Sequence, residues 1–255
     1  IALIKNENYK QNKKLSSLNL NKKNNKVVIK ENSKFMNGGV YFFKKNFLNK
    51  IKKNNFSLEN DLLQNLILQN KIEGKIFNNF FIDIGTPKNL IIAKKLLKKK
   101  FFKPAIFLDR DGVLNYDKGY TYKAKDLRVI DKTIKFLQKK NNFYLFVVTN
   151  QSGIGRGIYN EDKFYKFQNL LYKKLLIKKI FINDTVFCPH HPNAKLLKFK
   201  LKCKCRKPKT GMIEELKKRW FIDIKNSLFI GDSLTDELAA KKSKVKFINI
   251  RNIKN

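Results

Sequence analysis

Between positions 104 and 250, short hydrophobic runs alternate with amphipathic stretches. Five runs predict strands: Ala105–Leu108, Tyr144–Val148, Asp184–Phe187, Leu228–Ile230 and Val245–Ile250. The stretches between them have a helical period and predict four helices: Asp131–Lys140, Glu161–Lys178, Met212–Arg219 and Leu234–Lys241. Apolar strands that alternate with helices are typical of a parallel sheet covered on both sides. We therefore predict an α/β fold, a Rossmann-like three-layer sandwich with a parallel sheet, whose ligand sites lie beyond the carboxyl ends of the strands.

The first hundred residues have a less regular pattern. Three runs predict strands: Val27–Ile29, Val40–Phe43 and Phe80–Ile84. Two helices are predicted, Ser57–Gln69 with Ser57 as its N-cap and Lys88–Lys99. The lysines at 98–100 mark a linker before Pro104. We predict a mixed α/β domain over residues 1–100 and a second domain over residues 101–255.

Composition limits the class of protein. No apolar run reaches the ~18 residues that span a bilayer, so we expect no membrane partner. Three cysteines are too few for a disulfide framework and indicate a reducing compartment, which predicts a cytoplasmic protein. The 57 Lys and Arg residues against 20 Asp and Glu give a net charge of +37, which is compatible with a protein that binds nucleic acid. Because the lysines are scattered along the chain and Arg is scarce, we interpret the charge as compositional and expect no specific nucleic-acid partner.

Polar side chains follow three of the predicted strands. Asp109 and Asp111 come directly after the first, and a glycine behind them permits a turn. Clustered carboxylate oxygens suit Mg²⁺, and a carboxylate beside that ion can attack phosphorus. Thr149 follows the second strand, where a hydroxyl can donate to phosphate oxygens. Asp232 follows a third strand and would complete the Mg²⁺ ligands, whereas Asp236 fits the start of the next helix.

The cysteines form two short pairs of metal-ligand type. Cys188 lies two residues before His190, and Cys203 lies two residues before Cys205. This Cys₃His set is typical of a closed structural Zn²⁺ site. His191 is either an alternative ligand or a residue that faces the loop or the substrate. The two cations that follow the second pair, at 206 and 207, are placed to hold phosphate.

In this order, the motifs resemble the haloacid dehalogenase-like phosphatase superfamily, and within it the D-glycero-D-manno-heptose 1,7-bisphosphate phosphatases. The resemblance covers about residues 104–250 and implies a Mg²⁺-dependent phosphoric monoester hydrolase without a large cap domain. It implies that Asp109 is the nucleophile, that Asp111 is the general acid and base, and that Thr149 and Lys207 hold the phosphoryl oxygens. The implied metal ligands are Asp109, Asp111 (through its backbone carbonyl) and Asp232 for Mg²⁺, and Cys188, His190, Cys203 and Cys205 for Zn²⁺. The implied substrate-binding residues are Asp117, Gly119, Tyr120, Asn150, Gln151, Ser152 and Arg206.

The implied reaction removes the C7 phosphate of a heptose 1,7-bisphosphate through an aspartyl-phosphate. It belongs to nucleotide-activated heptose synthesis for lipopolysaccharide or other surface glycans, and the partner is a small phosphorylated sugar. Ser233 stands where this family often has Lys, which would weaken one substrate phosphate contact. Two alternatives stay open: a histidinol-phosphate phosphatase, and a nucleic-acid-binding zinc protein such as a DNA-end phosphatase. The anomer and the oligomeric state stay open as well.

The first hundred residues resemble another family. Three motifs, at 37–41, 57–61 and 81–87, are similar to the second half of a sugar-phosphate nucleotidyltransferase. The resemblance implies a partial nucleotidyltransferase domain fused ahead of the phosphatase, in which the aspartate matching Asp83 helps to bind a metal. The Gly-rich nucleotide-binding start of that family does not occur in this sequence. We therefore expect that this piece does not transfer a nucleotide.

Overall fold

The computed structural model describes residues 1–5, 18–30, 33–48 and 57–253. The chain divides into two compact units, residues 1–91 and 92–255. The division falls inside a helix that runs over Pro87–Phe101. The lysines at 98–100, which the sequence predicts as a linker, lie in the last turn of this helix. No helix of the described residues is long and apolar enough to cross a membrane.

The first unit contains a mixed five-stranded sheet. Its strands, in the spatial order β3-β2-β4-β1-β5, are β1 (Ala2–Lys5), β2 (Leu18–Asn21), β3 (Lys26–Ile29), β4 (Phe35–Asn37) and β5 (Lys75–Phe77). Strand β1 is antiparallel to β4 and parallel to β5. The helices are α1 (Lys45–Leu48), a π-helix (Leu58–Leu63) and α2 (Gln64–Leu68), and α3 (Pro87–Phe101) begins in this unit and ends in the second. Ser57 caps the π-helix as predicted, because its Oγ accepts a hydrogen bond from the N–H of Asn60 at 3.1 Å.

Two predicted strands of this unit are wrong. Residues 40–43 are irregular, because the pairing of β4 with β1 ends at Asn37 and the chain turns at Gly39, whose φ is +70°. One backbone bond remains there, from the N–H of Ala2 to the carbonyl of Val40. Residues 80–84 are also irregular, and the strand that pairs with β1 lies earlier, at β5. In both cases an apolar run has β propensity but pairs with no strand among the described residues.

The second unit contains a five-stranded sheet in the order β10-β9-β6-β7-β8, with every neighbouring pair parallel. The strands are β6 (Ala105–Leu108), β7 (Tyr144–Asn150), β8 (Asp184–Cys188), β9 (Leu228–Gly231) and β10 (Lys246–Asn249). The helices are α4 (Asp131–Gln138), α5 (Ser152–Gly155), α6 (Glu161–Ile177), α7 (Gly211–Arg219) and α8 (Leu234–Lys242). The predicted strands and helices of this unit are confirmed within a few residues. Helix α5 was not predicted, because its four residues are too few to show a helical period.

Helices cover both faces of this sheet. Strand β6 is fully buried, and its side chains alternate between two hydrophobic clusters. Ile106 and Leu108 pack with residues of α4 and α6, whereas Ala105 and Phe107 pack with residues of α7 and α8. The three-layer α/β sandwich is therefore confirmed. Because all five strands point the same way, their carboxyl ends form a single edge, and that edge carries the polar residues described next.

Candidate active site

The loop after β6 approaches the loop after β9 very closely. Asp109 continues the sheet, since its N–H donates to the carbonyl of Ile230 at 3.0 Å. Gly112 then adopts a φ of +79°, and a Cβ atom at this position would lie 2.0 Å from Oδ2 of Asp232. Only glycine permits both the left-handed backbone and this approach. The glycine therefore brings the carboxylates of Asp109 and Asp232 to one place.

We call Asp109, Asp232, Asp236 and Lys207 the carboxylate cluster. One carboxylate oxygen from each aspartate lies within 4.8 Å of the others. Nζ of Lys207 lies 2.9 Å from Asp109 and 2.6 Å from Asp236. The Lys207 side chain is only 3% exposed and that of Asp236 is fully buried, so water screens these contacts little.

The charged groups of this cluster shift each other's pKa values. Burial raises the pKa of Asp109 to about 7; Lys207 opposes this shift, and the charges of Asp236 and Asp111 add to it. Burial alone would lower the pKa of Lys207, but Asp109 and Asp236 outweigh burial and raise it above its ordinary value. Lys207 is therefore a fixed cation beside the candidate nucleophile. Three carboxylates carry more negative charge than one lysine neutralises, so the cluster favours the binding of a further cation.

Asp236 has a second function that sequence reasoning missed. Its Oδ2 accepts hydrogen bonds from the N–H and the Oγ of Ser233 at 3.2 and 2.7 Å, which is the helix-start role that the sequence predicted. Its other oxygen pairs with Lys207. A carboxylate near a helix start carries no sequence signal for a partner 29 residues away, so only the folded chain reveals the pair.

The carboxylate of Asp111 is turned away from the cluster. Arg110 donates to both of its oxygens, from Nε at 3.0 Å and from Nη2 at 2.7 Å. Asn115 and Gln151 each donate one further bond, at 3.0 and 2.9 Å. Arg110 is fully buried and lies against the rings of Phe164 and Phe167. These donors hold the carboxylate in a fixed place next to the cluster, so a metal ligand from Asp111 would be its backbone carbonyl, as the resemblance implies.

Two residues at the end of β7 hold other site residues in place. The amide of Asn150 pairs with the backbone of Lys207: its Oδ1 accepts from the N–H at 3.0 Å, and its Nδ2 donates to the carbonyl at 3.2 Å. Nε2 of Gln151 donates to Thr149 at 2.9 Å as well as to Asp111, and its Oε1 accepts from the hydroxyl of Tyr159 at 2.5 Å. Both amides were predicted to bind substrate, and the structure shows them occupied by protein groups.

The remaining predicted substrate residues lie on loops at the same sheet edge. Asp117 shapes its own loop by accepting bonds from the N–H of Gly119 at 2.9 Å and from the hydroxyl of Thr121 at 2.8 Å. Tyr120 adopts a φ of +54° and is 38% exposed. Ser152 begins α5. Polar and aromatic groups thus line the open side of the site.

The four predicted zinc ligands come together, and we call them the thiol cluster: Cys188, His190, Cys203 and Cys205. Their ligand atoms all lie within 4.8 Å of one another. The Sγ–Sγ distances from Cys188 are 3.5 Å to Cys203 and 3.1 Å to Cys205, and Nδ1 of His190 lies 3.2 Å from Cys205. An ideal tetrahedron with Zn–S bonds of ~2.3 Å has S–S edges of ~3.8 Å, which is close to this arrangement. The donor set therefore fits Zn²⁺.

His191 does not belong to the thiol cluster. Its Nε2 faces Nη2 of Arg156 at 3.0 Å. Burial, and then the charges of Arg156 and Arg206, lower its pKa below the ordinary value. Nη1 of Arg206 lies 3.4 Å from the carbonyl of His190. We call Arg156, His191 and Arg206 the arginine cluster; sequence reasoning did not single out Arg156, because a lone arginine in a loop carries no signal.

This fold and this site define a haloacid dehalogenase-like phosphatase. The sequence model of the family described as polynucleotide kinase 3 phosphatase matches residues 104–249, and the chain belongs to this family. A HAD-like phosphatase of known structure from Mesorhizobium loti is similar over 56% of this chain and 69% of that chain, with 29% identity and a TM-score of 0.54. The predicted enzyme class, a phosphoric monoester hydrolase, is confirmed by these relationships.

Curated relatives narrow the comparison to one substrate class. The chain is 40% identical over 144 residues to D-glycero-beta-D-manno-heptose-1,7-bisphosphate 7-phosphatase from Photorhabdus laumondii, covering 56% of this chain and 77% of that protein. It is 42% identical over 134 residues to the alpha-anomer 7-phosphatase from Campylobacter jejuni, covering 52% of this chain and 73% of that protein. These names agree with the family that the sequence motifs resemble. They include both anomers.

Proposed function

We propose that this chain removes the C7 phosphate of a D-glycero-D-manno-heptose 1,7-bisphosphate. The observation that carries the proposal is the carboxylate cluster, in which Lys207 lies 2.9 Å from Asp109 at the carboxyl edge of a parallel sheet. A buried carboxylate beside a fixed cation can attack a phosphoryl group whose charge that cation neutralises. The heptose relatives support the sugar bisphosphate as the substrate.

The chemistry proceeds in two displacements. A carboxylate oxygen of Asp109 forms a bond to the C7 phosphorus while the bond from phosphorus to the sugar oxygen breaks, and Asp111 gives a proton to that oxygen. Asp111 then takes a proton from water, whose oxygen attacks the phosphorus and releases inorganic phosphate and free Asp109. In the structure, Asp111 is tied to Arg110 and Gln151, so its carboxylate moves or shares these donors when it acts.

Oxygen ligands at the carboxylate cluster fit Mg²⁺. Asp109 and Asp232 would hold it, since their oxygens converge and Asp232 is exposed to the open side of the site. The bound ion supplies positive charge for the phosphoryl oxygens. Asp236 belongs to the same group of oxygens, but its two atoms are engaged with Lys207 and Ser233. We assign it to the positioning of Lys207.

The thiol cluster would hold Zn²⁺ as a structural ion. It lies on the loop that also carries Arg206 and Lys207, and the N–H of Arg206 is 3.4 Å from Sγ of Cys203. Fixing these ligands would therefore fix the position of Lys207. Three thiols in a reduced state also suit the cytoplasm, which we propose as the location.

One further candidate substrate is a DNA 3′-phosphate end. The description of the matching family and the net charge of +37 favour it. The same displacement chemistry would apply, but the described basic residues near the site are limited to a few loops rather than an aromatic-interleaved groove. Histidinol phosphate is a third substrate to be tested, because the motifs of that enzyme are similar.

The test is a comparison of phosphate release from heptose 1,7-bisphosphate (both anomers), histidinol phosphate and a 3′-phosphorylated oligonucleotide. We expect kcat/KM to be highest for one heptose bisphosphate. A higher value for histidinol phosphate or for the oligonucleotide would overturn the proposed substrate. Asp109→Asn is the matched control, and it should remove the activity on every substrate.

The first unit supports a place for this reaction in the synthesis of a nucleotide-activated heptose. Its motifs resemble those of an enzyme class that acts at a later step on the same sugar, and we expect the partial domain itself not to transfer a nucleotide. The carboxylate of Glu59 accepts hydrogen bonds from Asn37 at 3.2 Å and from Tyr41 at 3.1 Å, so the first two motifs meet in this unit. We propose that the activated heptose is used to build lipopolysaccharide or another surface glycan.

A further inference from the structure

In the arginine cluster, two hydrogen-bond donors face each other with no acceptor for either one within the described ranges. The backbone N–H of Asn193 donates to Nδ1 of His191 at 3.0 Å. A neutral imidazole accepts at one ring nitrogen only, so the other nitrogen, Nε2, carries a hydrogen. That N–H faces Nη2 of Arg156 at 3.0 Å, which is also a donor. Protonation of the ring would not remove the conflict, because it adds a donor.

The guanidinium groups of this cluster have no carboxylate partner in the part of the chain that the structure describes. Among the ion pairs of the described residues, none includes Arg156 or Arg206. Nε of Arg156 is buried and has no hydrogen-bond partner. A buried donor without an acceptor is costly, and opposed donors are satisfied when one anionic oxygen beside them accepts a hydrogen bond from both. The cluster is therefore built to receive an anion.

Three loops from the catalytic edge of the sheet meet at this cluster. Arg206 precedes Lys207, which contacts Asp109. Arg156 follows α5, the helix after β7, and its guanidinium lies 5.9 Å from the ring centre of Tyr120. A Cβ at Gly153 would lie 2.9 Å from Tyr120, so the loop after Asp109 packs directly against α5. The anion would thus lie at the edge that holds the reacting phosphate.

We propose that Arg156, together with Arg206 and His191, binds the second phosphate of the substrate, the one that is not transferred. This inference rests on the proposed function, because a sugar with a phosphate at each end supplies two separated anions. One phosphate meets the carboxylate cluster, and the other accepts hydrogen bonds from the two guanidinium groups and from Nε2–H of His191. Arg156 is then a residue that determines specificity for bisphosphates over monophosphates.

The test compares a bisphosphate with the matching monophosphate. Kinetics are measured for heptose 1,7-bisphosphate and for heptose 7-phosphate with the wild type, Arg156→Gln and Arg156→Lys. We expect Arg156→Gln to raise KM for the bisphosphate by about tenfold, to change its kcat less than about twofold, and to leave the monophosphate unaffected. Arg156→Lys should recover part of the loss, since the charge returns without the planar fork.

Arg219→Gln is the matched control. Arg219 ends α7 and pairs with Asp184 at the amino end of β8, so this variant removes the same charge from the opposite edge of the sheet. It should not change the ratio of bisphosphate to monophosphate activity. An equal loss on both substrates in Arg156→Gln, or no loss on the bisphosphate, would overturn the second-phosphate site. A wild type that hydrolyses neither sugar phosphate would instead overturn the proposed function, together with the inference that depends on it.

Discussion

The carboxylate cluster and the thiol cluster are both groups of ionisable side chains, but they balance their charge differently. Three carboxylates surround one internal cation, Lys207, which the protein provides. Within the thiol cluster there is no lysine or arginine side chain, and the four ligand atoms contact one another directly. The carboxylate cluster thus contains its own counter-charge, whereas the thiol cluster does not. We therefore propose a catalytic ion at the carboxylate cluster and a structural ion at the thiol cluster.

The largest expected effect comes from the candidate nucleophile. Asp109→Asn should lower kcat on the order of 10⁴-fold with the fold retained, because a neutral amide is not nucleophilic enough to form the acyl phosphate. Phosphate release and circular dichroism check this. Asp83→Asn, which changes an exposed carboxylate of the first unit, is the control and should keep full activity. Equal rates for Asp109→Asn and the wild type would contradict a catalytic role for the carboxylate cluster.

The next effect tests the internal cation. Lys207→Met leaves Asp109 and Asp236 facing each other without a buried partner, so we expect a loss of about 3–5 kcal/mol in the free energy of unfolding. Adding Asp236→Asn removes one of the two orphaned charges and should recover part of that stability without recovering kcat. Urea unfolding and steady-state kinetics measure the two quantities separately. If the double variant is no more stable than Lys207→Met, the pairing across the cluster is not what holds Lys207.

Metal removal distinguishes the two clusters directly. A chelator should abolish activity at once, and Mg²⁺ alone should restore it while the thiol cluster keeps its ion. Cys205→Ser should lose Zn²⁺ and lower the melting temperature by about 10 °C, whatever the Mg²⁺ concentration. Elemental analysis and thermal melts provide the readouts. A Cys205→Ser protein that still holds one zinc per chain at an unchanged melting temperature would contradict the structural role.

We expect the smallest effect from Tyr159, which is linked through Gln151 to Asp111 beside the carboxylate cluster. Its buried hydroxyl donates to Gln151, which in turn donates to Asp111 and Thr149. Tyr159→Phe removes that donor, and we expect a loss of about 1–2 kcal/mol in unfolding free energy. A fall in kcat of a few-fold with KM unchanged should accompany it, if Gln151 positions Asp111. Ile158, which is 41% exposed next to it, offers a control in Ile158→Val.

Much of the second unit was predictable from local pattern. A run such as Ala105–Leu108 is apolar because both of its faces are buried, and the residue after such a run lies at the sheet edge in any parallel fold. Asp109, Thr149 and Asp232 could be placed in that way. The Cys and His spacing similarly anticipated the thiol cluster.

Contacts between distant residues could not be predicted. The ion pair of Asp236 with Lys207 and the approach of Arg156 to His191 depend on how loops return across the edge. The inward direction of Gln151 depends on the partner that Tyr159 offers. In the first unit, apolar runs at 40–43 and 80–84 have strand propensity, but strand formation needs a neighbour, which no local pattern supplies.

The central claim is that Asp109 carries the phosphoryl group during turnover. Its most direct test is rapid acid quenching of the enzyme with heptose 1,7-bisphosphate and Mg²⁺, followed by mass spectrometry of the peptide that contains Asp109. We predict a transient phosphoryl adduct on that side chain, absent from Asp109→Asn. Full-rate phosphate release with no adduct at any quench time, or an adduct on another residue, would contradict the account.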